Sequence, residues 1–174
     1  MKKLVFPLLA VILVLGSAFT VYKSQAWKIG DNYSVKFTSS DPSGVFTGLK
    51  GTVEFDEKNL KASKFDVTVD VASINTGNGM QNNHAKSAQW FDAEKYPVIK
   101  YTSSSITKTA SGYEAKGTLE LHGVQKEVVI PFTFQNNTFT GSFDVNREDF
   151  NLNPSNGKAG KVIKVDLSVP VSKA

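Results

Sequence analysis

A chain of 174 residues with 40% apolar side chains suffices for one domain with a real core and is too short for two comfortable ones. Its net charge of +4 is no nucleic-acid signature: Lys2, Lys3 and Lys23 precede residue 27 with no acidic partner, and the remaining 17 basic residues face 16 acidic ones with no basic run. Cysteine is absent, which excludes disulfide staples and a lipid-modified Cys after a leader.

The first element lies outside the domain. Lys2-Lys3, the apolar stretch Leu4 to Ala18 and the small residues Ser24 and Ala26 have the layout of a secretory signal peptide cut after Ala26. That divides the chain into a leader, 1–26, and a domain, 27–174. Extended to Tyr22, the apolar stretch reaches 19 residues, just long enough for an uncleaved anchor. Either way the domain is expected outside the cytoplasm, periplasmic or secreted.

From Tyr33 onward, apolar residues recur at every second position. Tyr33-Val35-Phe37, Leu49-Gly51-Val53-Phe55 and Phe65-Val67-Val69-Val71 open the series, and Ile99-Tyr101-Ser103 follows Pro97. Tyr113-Ala115-Gly117-Leu119-Leu121, Val128-Ile130-Phe132-Phe134, Phe139-Gly141-Phe143-Val145 and Ile163-Val165-Leu167-Val169-Val171 complete it. A period of two sends alternate side chains to opposite faces of a strand. Eight such strands share one dry face, which only a closed or folded-over sheet can hide. Ala110-Ser111-Gly112, His122-Gly123 and Gln135-Asn136-Asn137 have hairpin-turn chemistry, so neighbours pair antiparallel in an up-and-down meander. The predicted fold class is all-β, an eight-stranded barrel whose interior holds side chains or one slim ligand.

Two connections are long. Arg147 to Gly160, with Asn153-Pro154-Ser155-Asn156-Gly157 inside it, is an irregular loop. Ile74 to Pro97 exceeds what a turn requires. Met80 to Trp90 lacks Gly and Pro and predicts one short helix, and Trp90-Phe91 is expected to lid or plug one end of the barrel.

Chemistry-bearing residues are few. His84 and His122 sit in separate connections, with no His pair at helical spacing and no Gly-x-Ser-x-Gly elbow, so neither a catalytic constellation nor a metal site is expected. His84 is either a helix residue bonded to backbone at the barrel rim or a contact for a ligand head group. His122, before Gly123, has a structural turn role. Gly77-Asn78-Gly79 lacks the third glycine of a dinucleotide loop. The protein is not expected to be an enzyme.

Parity turns Phe37, Phe55, Phe65, Tyr101, Phe132, Phe134, Phe139 and Phe143 inward, enough rings to fill a small barrel. Gly51, Ala115, Gly117 and Gly141 share those faces and either leave room or mark bends. Periodicity does not decide between a filled core, with function on the outer face, and a ligand tunnel.

Ser73-Ile74-Asn75-Thr76, His84, Trp90-Phe91-Asp92 and Tyr96-Pro97-Val98-Ile99 resemble the central signature of the YceI-like family. Gly117-Thr118-Leu119-Glu120-Leu121-His122-Gly123-Val124 and Arg147-Glu148-Asp149-Phe150 are similar to its second and third, and the opening Trp27-Lys28-Ile29 and Tyr33 to Phe37 also fit. The resemblance spans essentially the whole domain. It implies a lipocalin-like antiparallel barrel holding an isoprenoid lipid, a quinone or polyprenyl species, often in the periplasm. Val35, Phe37, Val53, Phe65, Val67 and Val69 would then line the tunnel with Tyr101, Leu119, Ile130, Phe132 and Phe143, while His84 belongs to a gating segment, Met80 to Phe91. No cofactor is implied beyond that lipid. Its partners would be the lipid and, transiently, a membrane; a homodimer stays open. Two departures stand out: Gln81-Asn82-Asn83 replaces the family's Arg-Asp pair before the His, and Asn151 replaces a Gly after the Phe. Without that pair, selectivity is expected to follow tail length and width rather than head-group charge.

Overall fold

A computed structural model describes residues 24–40, 42–152 and 160–174. The apolar leader core and Asn153 to Gly157 lie outside the described residues. The eleven described strand segments are β1 (Ala26–Ile29), β2 (Ser34–Thr38), β3 (Gly44–Phe46), β4 (Leu49–Glu54), β5 (Lys64–Asp70), β6 (Ile74–Asn75), β7 (Val98–Thr109), β8 (Gly112–Leu121), β9 (Val124–Gln135), β10 (Thr138–Asn146) and β11 (Val162–Lys173).

These segments make eight staves of a closed antiparallel barrel, because the first three staves are each broken in two. β2 pairs with β3 (Val35 opposite Phe46) while β1 pairs with β4 (Trp27 opposite Val53), so β1–β2 and β3–β4 form one interrupted hairpin. β6 and β5 extend it against β3 and β4. From β5 the meander runs through β7, β8, β9 and β10 to β11, which closes the wall against both β1 and β2. Alternation alone shows eight strands because β1, β3 and β6 are too short to display a period. β1 begins within the expected leader: Gln25 O accepts from Phe55 N at 2.8 Å, and Ser24 Oγ lies 3.4 Å from Ser63 Oγ.

Two strand glycines serve closure rather than space. Gly51 has φ +138 and an exposed position, and a Cβ there would fall 2.3 Å from Asp66 O. Gly117 is buried opposite a bulge between Ser103 and Ser105, where a Cβ would meet Thr102 O at 2.4 Å. Close backbone approach at a bend requires the missing side chain. The same bulge carries β7 beyond Ser103, its expected end, and brings Ile106 inward, 5% exposed.

The predicted helix is real but shorter. α1 spans Gly79–Lys86, capped by Asn78, whose side chain accepts from Met80 N and Gln81 N. It stops because the Ser87 hydroxyl and backbone N–H both donate to His84 O, leaving Gln89 to Phe91 in turns. Ladder pairing between β9 and β10 ends at Gly141 opposite Phe132. Beyond it, a 3-10 turn, Arg147–Phe150, packs beside the β8–β9 hairpin, with His122 Nδ1 3.3 Å from Phe150 O and Lys126 Nζ 3.5 Å from Asp149. Asn151 follows at φ 55, a left-handed conformation that Asn adopts more readily than other side-chain-bearing residues. That explains why it can stand where a Gly is usual.

Candidate functional site

The inward rings do not fill the barrel evenly. Phe55, 1% exposed, sits at the centre of an aromatic stack at one end. Its centroid lies 5.1 Å from Tyr113, 5.6 Å from Phe132, 5.2 Å from Phe134 and 5.3 Å from Phe139, with edge-to-face geometry at each. Trp27 packs on Phe134 at 5.2 Å and donates its indole N–H to Phe55 O at 2.9 Å. Tyr113 donates to Glu57 at 2.6 Å, and that bond, with burial, pushes its hydroxyl pKa up to about 12. This end is a packed core.

The other end is hollow. A cavity of about 390 Å³ begins above the stack and is walled by apolar side chains from every stave. All twelve expected positions border it: Val35 and Phe37 on β2, Val53 on β4, Phe65, Val67 and Val69 on β5, Tyr101 on β7, Leu119 on β8, Ile130 and Phe132 on β9, Phe143 on β10, and His84 on α1. Phe55 and Phe134 lie in the packed end and do not border it. Of the four small inward residues, Ala115 and Gly141 border the cavity and Gly51 and Gly117 do not. Ile29, Phe46, Ile74, Leu121, Val145 and Leu152 also line it. Of these, Phe46 and Ile74 belong to strand fragments of two or three residues, where no alternation is legible.

Among the described residues, the exposed members of the lining are Gln81 and His84, so the cavity meets solvent beside α1. Trp90 and Phe91 border it there, as expected of a lid, and Phe91 packs edge-on against Phe46 at 5.9 Å. The rim carries a polar chain. Trp90 Nε1 donates to His84 Nε2 at 2.9 Å, which assigns the ring proton to Nδ1. Arg147 Cζ stands 5.8 Å from the Trp90 ring. Arg147 is 1% exposed and donates to Gly160 O at 2.9 Å and Leu152 O at 2.7 Å. Arg147 continues the inward parity of Phe139 to Val145, a signal masked by its charge and by its place at the start of the long loop to Gly160.

Deeper polar atoms are satisfied. Tyr101 donates its hydroxyl to Ala115 O at 2.8 Å, and burial raises its pKa, so it stays neutral in the wall. Among the described residues, no three His, Asp or Glu side chains gather to hold a metal, and no helix is long and apolar enough to cross a membrane.

Residues 22–171 match the YceI-like domain family. The YceI protein of Salmonella newport is 30% identical, with 97% of each chain covered. BcnA of Burkholderia cenocepacia superposes with a TM-score of 0.77 at 25% identity, covering 84% of this chain and all of that one. A polyisoprenoid-binding domain from Saccharophagus degradans shares the fold, with a TM-score of 0.63 at 15% identity over 87% of this chain and 100% of its own. A family match across nearly the whole barrel, joined to that barrel's closure and topology, places the chain in the YceI-like domain family.

Proposed function

We propose that this protein binds an isoprenoid-type lipid, a quinone or polyprenyl species, with its tail in the barrel cavity, and carries or sequesters it outside the cytoplasm. One observation carries the reading: a cavity of about 390 Å³ walled by apolar side chains, opening at a rim where Gln81 and His84 are exposed. Its volume falls within the roughly 300–1,000 Å³ of small-molecule sites. Each CH₂ group moved from water into such a wall contributes ~0.8 kcal/mol, so a prenyl tail offers many kilocalories before ordering costs. A slim, flexible, wholly apolar ligand suits a closed barrel better than a broad or polar one. The polyisoprenoid-binding domain of the same fold supports the choice of ligand class, and the signal-peptide layout of residues 1–26 supports the location.

Organic extraction of protein purified from its own host, followed by mass spectrometry, tests this. A prenyl lipid near one per protein is the expected result. Protein that carries none, and takes up none when offered polyprenol in detergent, overturns the proposal.

A further inference from the structure

We infer that the packed end of the barrel is a tail-length stop, made by three rings that meet across the bottom of the cavity: Phe65, Phe132 and Phe139. This deepens the lipid-binding reading and rests on it.

The three rings come from three staves, β5, β9 and β10, and each borders the cavity. Their centroids form a closed triangle: 5.4 Å from Phe65 to Phe132, 5.5 Å from Phe65 to Phe139 and 5.9 Å from Phe132 to Phe139. Aromatic rings at such separations are in contact, so no prenyl chain passes between them. Phe55 backs all three from below, at 6.3, 5.6 and 5.3 Å, without bordering the cavity. A single ring would swing aside for a longer tail. Three rings braced by a fourth would each have to move another, and a core at native density resists that.

The wall above the stop is apolar, aliphatic side chains interleaved with rings such as Phe37, Tyr101 and Phe143, and does not discriminate along the tail: every methylene gains about as much as the next. Only where the tail runs out of room does one more isoprene unit lose its burial, or force the remainder of the lipid out past α1. Length selection is therefore assigned to the floor, not to the rim. A benzyl side chain and an isoprene unit have similar bulk, so removing one ring from the triangle lengthens the cavity by about one unit.

The test offers full-length protein an equimolar series of polyprenols differing by one isoprene unit and reads the retained lengths by mass spectrometry. Phe139→Ala should move the preferred length up by about one unit. Phe139→Leu, gentler on folding, should move it the same way by less. Ile130→Phe, which adds bulk to the cavity just above Phe132, should move it down. Wild-type protein that retains a prenyl chain while all variants retain the same lengths overturns the stop and leaves the lipid-binding reading intact. Wild-type protein that retains no member of the series overturns both.

Discussion

The two ends of this barrel are built from the same alternating strands, yet one is packed and the other is hollow. At the closed end the inward positions are Phe55, Tyr113, Phe134 and Phe139, and they find one another across the barrel axis. At the open end the inward positions include Val67, Val69, Val165 and Leu167, which remain partly accessible, and the rings there, such as Phe37 and Phe143, border the cavity rather than close it. Stability and binding are thus divided along the axis. Rings that meet across the axis at one end supply cohesion, and at the other end side chains that stop short of one another leave volume to be filled from outside.

The sharpest way to break that division is to truncate one ring at each end. Phe55→Ala, at a position 1% exposed beneath the floor, should cost ~3–5 kcal/mol, read as a drop in the urea unfolding midpoint. Phe143→Ala, on the cavity wall and only half-buried, should cost clearly less in lipid-free protein. Equal losses would mean the hollow end is as tightly packed as the closed one.

A bulky insertion sharpens the comparison. Val67→Trp points into open volume and should leave the unfolding midpoint nearly unchanged while reducing retained lipid by about tenfold, or ~1.4 kcal/mol of affinity. In a filled core the same change would overpack and cost ~1–3 kcal/mol of stability. Loss of stability with normal lipid content would contradict the hollow end.

The smallest expected effect lies at the edge of the closed end. The hydrogen bond from Tyr113 to Glu57, with burial, raises the Tyr113 pKa from 10.0 to about 12. The folded state then holds a proton that the unfolded chain releases, so stability is complete below pH 10 and falls as pH rises toward about 12. Glu57→Gln should cost about 1 kcal/mol or less at neutral pH and make that alkaline loss shallower. Unfolding midpoints on either side of the window measure both. An alkaline loss unchanged in the variant would remove Glu57 as its cause.

Much of the wall was legible in the sequence, because a period of two is a local property and burial follows it. Val35, Phe37, Val67, Leu119 and Ile130 point inward as their parity requires. What parity cannot carry is height along the axis. Phe55 and Val53 share a face on paper, yet Phe55 ends beneath the floor and Val53 borders the cavity. Two residues of strand rise, ~6.6 Å, separate them, and only the placement of the floor against that length decides which side each falls on. Gly51 and Gly117 were ambiguous for a related reason: an absent side chain signals either space or close backbone approach, and only the opposing carbonyls of Asp66 and Thr102 decide. Arg147 shares the inward parity of Val145, but the partners that let a charge be buried there, Leu152, Gly160 and Trp90, are brought together by loops rather than by a repeat.

The seam of the wall also governs how the molecule can be made. β11 joins β10 on one side and both β1 and β2 on the other, so residues near the two ends of the described chain complete one ladder. Until Val162 to Lys173 has been synthesised, the nascent polypeptide presents two raw strand edges and a greasy concave sheet. Such edges recruit other copies, so a translation product ending before Val162 should form insoluble aggregates rather than a weakened monomer.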